Sequence, residues 1–390
     1  MKLHPAIVPL CQDLADAGGR AYIVGGWVRD LHLGLPSKDV DFEVFGLDQD
    51  KILAVLQRHG RAHAVGKSFG VLKLRIGKEE LDVALPFDGQ APNPSLTLEQ
   101  AVQRRDLRCN ALYYDPLSGE TLDPTGGLAD LQSKRLRAVS EQSLVQDPLR
   151  ALRAVRFACT KQMELAPELL EQIRVTSLGE LASERVLGEL RKILLSVDPA
   201  RGLTLLHDSG LGAQVFPRVD GLKAAERMSQ VQPHLALLAE PSHQEVLLWG
   251  TWLLGLERPA QALARWGLHK IGGAPLKHWL PSLKQAQAPL SDTDLRRLAD
   301  TLPVLLPLVL HHALLGEDPL PGLLRAQDLG VAEGPLPVLL GGAELGALGL
   351  QPGPAMGQIL KALRESQWAG QVSTPQQAQA FADQWLQRHP

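Results

Sequence analysis

Two aspartates, Asp39 and Asp41, stand one residue apart in a short segment where polar and apolar residues alternate. Side chains two positions apart share one face of a β-strand, about 7 Å from each other along the strand. Glu43 continues that face, and like charges on neighbouring same-face positions cost stability unless a cation neutralises them. Carboxylate oxygens are the ligands that Mg²⁺ prefers. The pattern therefore favours a metal-binding strand over an acidic face that merely contacts water.

A glycine pair precedes these aspartates and follows an apolar, strand-like run at residues 21–24. Gly25 and Gly26 let the backbone approach a ligand closely, and N–H groups at the start of a following helix favour a phosphate. Arg29 carries a guanidinium whose geometry matches a phosphate or a ribose. A tight strand–helix turn without any ligand accounts for the glycine pair equally well.

A third feature is the pair Arg105 and Asp106, which stands in a polar run at residues 104–111. Arginine beside an acid suits recognition of a triphosphate and its ribose. The alternative is a surface helix with local ion pairs.

A fourth feature is a helix that carries a ridge of arginines. Asp147 resembles an N-cap and Pro148 a first-turn proline. Arg150, Arg153 and Arg156 then recur every third residue and lie along one side of the helix. Because three neighbouring guanidinium groups repel one another unless they face an anion, the ridge is expected to face a triphosphate and a base edge. A solvated basic face paired with acids elsewhere is the alternative.

The elements that must position these residues change in character near residue 140. Before it, short β-type runs alternate with turns and a helical pattern, which indicates a compact α/β or α+β domain. After it, Leu, Ala and Arg at helical spacing predict an all-α second half. The predicted strands are residues 21–24, 39–45, 71–76, 81–85 and 111–114. The predicted helices are residues 49–59, 147–160, 167–175, 183–195, 199–209 and 374–387.

Composition narrows the class of protein further. The 390 residues include 40 Lys and Arg against 43 Asp and Glu, a net charge of −3. This balance excludes a disordered polyelectrolyte and a uniformly basic coat protein, and it leaves room for local basic patches. Three widely spaced cysteines argue against a disulfide framework and a CxxC zinc site. With no signal peptide and no membrane span in the sequence, a cytoplasmic location is expected.

Taken in order, the motifs resemble those of class II tRNA nucleotidyltransferases, which include the CCA-adding enzymes and bacterial poly(A) polymerases. The set is Gly25-Gly26-x-x-Arg29-Asp30, Asp39-x-Asp41, Arg104-Arg105-Asp106-x-x-x-Asn110-Ala111, Asp123-Pro-x-Gly-Gly and Asp147-x-x-Arg150-x-x-Arg153-x-x-Arg156-Phe157. Residues 20–195 carry the resemblance well, and a weaker match at residues 342–357 extends it. Each motif is moderately specific, whereas the ordered set is very specific.

The resemblance implies an α+β fold, with a small mixed-sheet head of the polymerase-β type followed by an all-α remainder. It divides the chain into four regions. These are a nucleotidyltransferase head (1–138), a neck for base recognition (139–198), a body (199–288) and a tRNA-binding tail (289–390). The implied reaction is template-independent addition of nucleotides to a tRNA that lacks all or part of its 3′ CCA end, with release of pyrophosphate.

The resemblance also assigns roles to the residues. Asp39 and Asp41 hold Mg²⁺, which activates the tRNA 3′-hydroxyl and neutralises charge on the leaving pyrophosphate. Asp147 and Arg150 read the Watson–Crick edge of the incoming base, because an acid and an arginine pair with C or A but poorly with G or U. The nucleotide-binding residues are Gly25, Gly26, Arg29, Arg105, Asp106, Asp147, Arg150, Arg153 and Arg156.

Two departures from the family pattern bear on the subtype. Gln146 replaces the usual Glu before Asp147, which removes a charge near Arg150. The segment at residues 86–98 is short and holds three prolines, whereas full CCA-adding relatives carry a longer flexible loop that helps the switch from CTP to ATP. Addition of CC from CTP, completed by a separate A-adding enzyme, is therefore the leading expectation. Complete CCA addition from CTP and ATP, A addition and poly(A) synthesis are the alternatives.

Other hypotheses about the function and the site residues have less support from the sequence. The long helical half and the arginine ridge speak against a small-molecule nucleotidyltransferase, and intact Asp39 and Asp41 speak against an RNA-binding relative without catalysis. Asp82 is a candidate third carboxylate, or else a surface turn residue. Neither a phosphohydrolase dyad at residues 207–208, nor a zinc site at residues 311–312, nor a nucleophilic Cys109 has the partner residues that it needs.

Overall fold

The computed structural model describes residues 3–37, 39–65, 70–77, 79–285 and 289–388. The chain divides into two compact units. The first extends to Val197 and includes Asp208–Gln214, and the second comprises Asp198–His207 and the residues from Val215 onward. Every residue with a predicted catalytic or nucleotide-binding role lies in the first unit.

The first unit combines a mixed sheet with helices. Its strands are β1 Arg20–Val24, β2 Asp41–Phe45, β3 Arg61–Ala64, β4 Val71–Ile76, β5 Glu79–Ala84, β6 Tyr113–Tyr114, β7 Thr121–Leu122, β8 Arg135–Leu136 and β9 Glu164–Leu165. Its helices are α1 Ile7–Asp16, α2 Gly26–His32, α3 Gln49–His59, α4 Leu98–Val102, α5 Gly127–Gln132, α6 Ser143–Gln146, α7 Leu149–Thr160, α8 Pro167–Arg174 and α9 Ser183–Leu194, and a 3₁₀ turn spans Arg108–Asn110.

Seven of these strands form one sheet, in the order β3-β4-β5-β2-β1-β6-β7. Neighbouring strands are antiparallel except β2 and β5, which run parallel. Phe42 and Val44 on β2 are buried in the core, as the alternation of the sequence predicts. The sheet therefore carries its acidic positions in the middle, on β2, with strands on both sides to hold them in register.

An aromatic cluster ties β1 to β2 and β6. The ring of Tyr22 contacts the rings of Phe45 and Tyr113 edge to face, with centroids 5.8 and 5.9 Å apart. Such pairs contribute about 0.5–1.5 kcal/mol each beyond the burial of their area. Val24 and Ala111 pack into the same cluster, so the strand that leads into the glycine pair is firmly held.

Several predicted elements match and several do not. Residues 49–59 form α3 and residues 71–76 form β4 as predicted. The prediction of a strand from Asp39 is wrong, because β2 begins at Asp41. The predicted strand at residues 111–114 is confined to β6, because the chain turns through the 3₁₀ segment just before it. The edge strand β3, which is polar and lacks an apolar alternation, was not predicted.

The rest of the chain, from residue 198, is mainly helical. Its helices are α10 Pro199–Asp208, α11 Leu211–Val215, α12 Gly221–Val231, α13 Pro241–Leu253, α14 Pro259–Ala264, α15 Leu276–Lys284, α16 Asp292–Ala299, α17 Leu305–Leu315, α18 Leu320–Asp328, α19 Gly342–Ala347, α20 Pro354–Trp368 and α21 Pro375–Arg388. A 3₁₀ turn spans Gln232–Leu237, and two short strands, β10 Lys270–Ile271 and β11 Ala274–Pro275, form a hairpin.

Two parts of the second unit have clear cores. Phe216 contacts Trp249 and Trp252 edge to face, and those two indole rings stack at 5.5 Å. A separate apolar cluster of seven buried side chains joins α19, α20 and α21, and five of the seven lie on these helices. Thr374 caps the last helix, because its hydroxyl accepts a hydrogen bond from the Gln377 N–H at 3.2 Å.

The predicted fold class, an α+β head followed by a helical remainder, is confirmed. The four-region division stays a prediction, and its boundary at residue 288 lies outside the described residues. Over the described ranges, no helix is long and apolar enough to cross a bilayer.

Candidate active site

The first unit contains a cavity of about 480 Å³ lined largely by charged side chains. Its arginines are Arg29, Arg104, Arg105, Arg150, Arg153, Arg156 and Arg185. Its other lining residues are Asp41, Asp106, Asp147, Gly25, Gly26, Asn110, Leu149 and Phe157. Seven guanidinium groups line the cavity against three carboxylates, and Asp30, Glu43 and Glu189 pair with three of the seven from outside the lining. The arginines still outnumber the acids, which suits a polyanion such as a triphosphate.

A second carboxylate stands beside Asp41 in the sheet. Asp41 on β2 pairs with Asp82 on the parallel strand β5, so the two side chains share one face of adjacent strands, about 5 Å apart. Asp39 is exposed and lies two residues before β2. The pairing of β2 with β1 ends at Val24, which is opposite Asp41, so Asp39 has no partner on β1.

The electrostatics of Asp41 fit a cation site. Partial burial raises the pKa of the Asp41 carboxyl, and the nearby Asp82 and Asp39 carboxylates raise it further, while Arg105 lowers it. A divalent cation would relieve this accumulation of negative charge. Within the described residues, no three His, Cys, Asp or Glu side chains form a metal cluster. Mg²⁺ needs only one or two carboxylates, because it takes its other ligands from water and substrate phosphates.

The Asp82 carboxylate already has an ion-pair partner within the sheet. Lys73 on β4 lies directly opposite Asp82, and its Nζ is 3.3 Å from Asp82 Oδ1. Lys73 also contacts Glu80. Asp82 is therefore a side chain of the carboxylate face, as its register requires, and not an isolated turn residue.

The glycine pair forms the turn between β1 and α2. Gly25 has φ +69°, a left-handed backbone that glycine adopts without strain. A Cβ on Gly25 would lie 3.7 Å from Arg105 Nη1, so the glycine backbone faces the arginines of the cavity. The first N–H groups of α2 have no acceptor within the helix, which leaves them available at this edge.

Replacing Gly25 with alanine is expected to lower the free energy of unfolding by about 1–2 kcal/mol, because alanine is strained at positive φ. It is also expected to raise the KM for the nucleotide, since the methyl group enters the cavity. Gly34 provides a matched control, with φ +67° and no atom within 4 Å of an added Cβ. Urea unfolding and nucleotide titration of both variants check this. Equal nucleotide affinities in the two variants would contradict it.

Arg29 is buried and held by two neighbours. Its Nε donates to Asp30 Oδ1 at 2.8 Å and its Nη1 donates to Asn110 Oδ1 at 2.7 Å. Lys161 forms a second ion pair with Asp30 at 2.8 Å. The guanidinium therefore reaches the cavity with one orientation, and it keeps further N–H donors for a ligand.

Arg105 forms an ion pair with Glu43 on β2. Its Nη2 donates to Glu43 Oε2 at 2.7 Å, and its guanidinium lies 5.6 Å from the centre of the Tyr113 ring. Glu43 is buried. Burial by itself would lower the pKa of Arg105, but the Glu43 carboxylate raises it. Glu43 thus holds Arg105 and is not available to a metal.

Asp106 organises the other side of the cavity. Its Oδ2 accepts from Arg153, with Nε at 2.8 Å and Nη2 at 2.6 Å, and its Oδ1 accepts from Asn110 Nδ2 at 3.0 Å. Although burial by itself would raise the pKa of Asp106, Arg153 and the hydrogen bonds lower it. Since Asn110 also binds Arg29, one buried carboxylate aligns two arginines.

Asp147 lies just before α7 and is held from two sides. Its Oδ1 accepts from the Leu149 N–H at 3.2 Å, so it satisfies a donor at the helix start, although Pro148 and not Asp147 is the N-cap residue. Its Oδ2 accepts from Arg185 Nη2 at 2.8 Å. The carboxylate is thus fixed in orientation, and its remaining lone pairs are free to accept from a ligand.

Arg150 is held mainly by carbonyl groups. Its Nη1 donates to the carbonyl and to the hydroxyl of Ser143, each at 3.0 Å, and its Nη2 donates to the carbonyl of Arg104. Gln146 Oε1 accepts from Nη1 at 3.5 Å, the limit of a hydrogen bond. Burial lowers the pKa of Arg150. Gln146 therefore supports this arginine only weakly.

Three guanidinium groups lie close to the ring of Phe157, which lines the cavity. The guanidinium groups of Arg29, Arg153 and Arg156 lie 4.9, 5.7 and 4.0 Å from the centre of its ring. Arg156 Nε also donates to Glu189 Oε2 on α9 at 2.6 Å. Cation–π contacts of this kind stabilise by about 0.5–2 kcal/mol, which offsets part of the repulsion along the arginine ridge.

The structure brings all the predicted site residues except Asp39 into the lining of one cavity. Sequence reasoning missed Arg185 and Glu189, which approach from α9. The signal was present, because these two residues stand four positions apart and share one helix face. Their partners on α7 were not apparent before the packing of the two helices was known.

The structure does not support the nucleophilic cysteine or the histidine zinc site that the sequence analysis considered. Cys109 is buried, and burial raises the pKa of its thiol to about 12, so it is not a nucleophile at neutral pH. His311 is buried in α17, and the adjacent His312 contacts Glu317.

Comparison with known proteins places the chain in a family. Residues 21–137 match the poly(A) polymerase head domain, and residues 162–222 match the domain described as the probable RNA and SrmB-binding site of polymerase A. The A-adding tRNA nucleotidyltransferase of Deinococcus radiodurans is 31% identical, with 95% of this chain and 96% of the relative covered. The chain belongs to the poly(A) polymerase and tRNA nucleotidyltransferase family of enzymes.

Other relatives share part of the chain or its fold. The multifunctional CCA protein of Xanthomonas campestris is 38% identical over 232 residues, and this chain covers 55% of that protein's length. The CCA-adding enzyme of Bacillus stearothermophilus, solved in complex with CTP, has a TM-score of 0.73 at 23% identity, with 99% of both chains covered. At that identity the structural likeness establishes the fold.

Proposed function

We propose that this chain transfers nucleotides from a nucleoside triphosphate to the 3′ end of a tRNA that lacks all or part of its CCA end, with CMP as its preferred nucleotide. One observation carries the proposal. A single cavity joins the carboxylate Asp41, a cluster of arginines and the pair Asp147 and Arg150. Asp41 could serve the reaction centre, the arginine cluster could bind the triphosphate, and Asp147 with Arg150 could recognise the base.

The carboxylate face is assigned to the reaction centre. Asp39 and Asp41 would hold Mg²⁺, with Asp82 in register beside Asp41 as a further ligand. When bound, the metal would supply activation of the 3′-hydroxyl and neutralisation of charge on the leaving pyrophosphate. The protein's contribution is to keep Asp41 and Asp82 on one sheet face, where β2 has strands on both sides.

The arginines are assigned to the triphosphate. Arg29 and Arg105 are each oriented by a carboxylate partner. Their remaining N–H donors are therefore already in position before a triphosphate binds. Gly25 and Gly26 bring backbone N–H groups to the same edge. Preorganised donors of this kind stabilise the charge that develops on a transferred phosphoryl group.

The start of α7 is assigned to recognition of the base. The Asp147 carboxylate accepts from the exocyclic amine of C or A, and Arg150 donates to a ring acceptor. A base with a carbonyl at the amine position, such as U or G, would present an acceptor to an acceptor. Because Arg185 and the Leu149 N–H hold Asp147 in place, this selection needs no RNA template.

The choice of CC as the product rests on the short segment at residues 86–98. It is tied down by its own hydrogen bonds, from the Asn93 N–H to the Pro86 carbonyl at 2.7 Å, and from the Gln90 and Ala91 N–H groups to Asp88 at 2.8 and 2.9 Å. A segment fixed in this way has little freedom to rearrange the cavity between CTP and ATP, which supports addition that ends at CC.

Three tRNA transcripts test the proposal, ending before CCA, after the first C and after CC. Each is incubated with the enzyme and Mg²⁺, with CTP and ATP supplied singly and together, and the products are read at nucleotide resolution. Addition that stops at CC in the presence of ATP is the expected result, and it implies a separate A-adding enzyme. Absence of any product on all three transcripts refutes tRNA as the acceptor.

A addition is the second candidate, because the relative that covers nearly the whole chain is an A-adding enzyme. It predicts that only the transcript ending in CC is extended, and only with ATP. Addition of all three nucleotides identifies a complete CCA-adding activity and overturns the argument from the short segment.

A further inference from the structure

The second unit contains a long stretch of sequence whose charge is entirely positive. Residues 258–291 include five Lys or Arg residues and two His residues, and they include no Asp or Glu. In the chain as a whole, acidic residues slightly outnumber basic ones. Such segregation of charge in a near-neutral protein indicates a surface for an anionic partner.

The central part of this stretch is exposed. We name Arg265, His269, Lys270, Lys277 and His278 the cationic hairpin surface, and all five side chains are exposed. Among the described residues, no carboxylate forms an ion pair with Arg265, Lys270 or Lys277. Their charges are therefore not neutralised within the unit, whereas most cavity arginines are paired.

The β10–β11 hairpin brings the two lysines together. Lys270 pairs with Pro275 across the hairpin, and the Leu276 N–H donates to the His269 carbonyl at 3.1 Å. Lys277 follows directly at the start of α15. Since paired residues lie about 5 Å apart and each of the two further residues adds about 3.3 Å or less, the backbones of the two lysines are within about 12 Å.

The hairpin is also rigid. Gly272 and Gly273 both have positive φ, at +55° and +88°, as a two-residue turn that matches the twist of its strands requires. A Cβ on Gly272 would lie 2.2 Å from the Cβ of Ser242, so the turn packs directly on the first residues of α13. The cations are therefore presented on a fixed platform and need little ordering when they bind.

We propose that the cationic hairpin surface binds phosphates of the RNA substrate's backbone. This inference rests on the proposed function, since it takes the tRNA as the partner. Lysines bind phosphate as point charges and carry no base preference. A surface that contacts phosphates alone would accept tRNAs of any sequence, as an enzyme that extends the 3′ ends of many different tRNAs requires.

The double variant Lys270→Gln/Lys277→Gln tests the inference. Its affinity for a tRNA transcript without CCA is measured at 50–200 mM KCl and compared with wild type. Each lost phosphate contact flattens the plot of log K against log salt by about 0.7–0.9, so the magnitude of the slope is expected to fall by about 1.4–1.8. The affinity at 0.1 M salt is expected to fall by about tenfold or more. The KM for CTP is expected to stay unchanged, because no cavity residue is altered.

A matched control removes two exposed cations elsewhere. Lys51→Gln/Arg58→Gln on α3 changes the net charge equally and should leave the salt slope as in wild type. Exposed substitutions of this kind alter stability by about 0.5 kcal/mol or less, and thermal unfolding verifies it. A hairpin variant with the wild-type slope overturns this inference alone. Failure of wild type to bind the transcript overturns it together with the proposed function.

Discussion

Replacing Asp41 with asparagine is expected to lower nucleotide addition about 1000-fold or more. Loss of a metal ligand removes several kcal/mol of charge stabilisation in the transition state, and about 4 kcal/mol corresponds to that factor. Binding of the tRNA transcript should be unchanged, since a neutral amide replaces a carboxylate of the same size. Single-turnover rates with a saturating transcript, together with its dissociation constant, measure both effects.

The same substitution is expected to leave the fold as stable as before, or slightly more stable. The pKa of Asp41 is raised in the folded state, so the folded protein binds this proton more tightly than the unfolded chain does. Ionisation of Asp41 therefore lowers the free energy of unfolding as the pH rises through its pKa. Asparagine removes that cost. A variant that is inactive and also unfolded would point to a structural role.

The raised pKa also predicts the acid limb of the pH profile. The protonated carboxyl does not bind a metal. At limiting Mg²⁺, activity should therefore fall as the pH drops through the pKa of Asp41, at a higher pH than an ordinary aspartate would give. Asp16→Asn, an exposed substitution outside the cavity, is the control. Addition by the Asp41 variant within tenfold of wild type would exclude Asp41 as a metal ligand.

Replacing Asp147 with asparagine is expected to change which base is accepted. The amide keeps an oxygen for the Leu149 N–H and gains an NH₂ group, which donates to the O4 of uracil where the carboxylate only accepts. A well-placed pair of hydrogen bonds discriminates between bases by about 1–3 kcal/mol. The ratio of kcat/KM for CTP over UTP should therefore fall about 10–100-fold.

Loss of the ion pair with Arg185 is a second consequence of that change, and a control separates the two effects. Arg185→Gln removes the partner of Asp147 and leaves the carboxylate in place. It is expected to raise the KM for CTP while U remains excluded, because an unanchored carboxylate still does not donate a hydrogen bond. If Asp147→Asn lowers addition of C and U equally, the residue does not read the base.

Much of the fold could be anticipated from local pattern. The strand–glycine–helix sequence around Gly25, the alternation along β2 and the spacing of the arginines in α7 each follow from short-range rules. Strand limits were less certain, because they depend on where a partner ends. Asp39 lies outside β2, whose pairing with β1 ends at Val24 opposite Asp41, and no property of Asp39 itself indicates this.

In the candidate site, too, some features follow from the local sequence and others depend on tertiary contacts. The sequence by itself determined the residue types, the α+β head and the order of the motifs, because these depend on composition and local spacing. Only the tertiary structure placed Asp82 beside Asp41, paired Glu43 with Arg105 and brought Arg185 to Asp147. Each of these contacts joins residues that are more than 35 positions apart in the chain. Strand register and helix packing bring such residues together, and a periodicity within one segment carries no information about either.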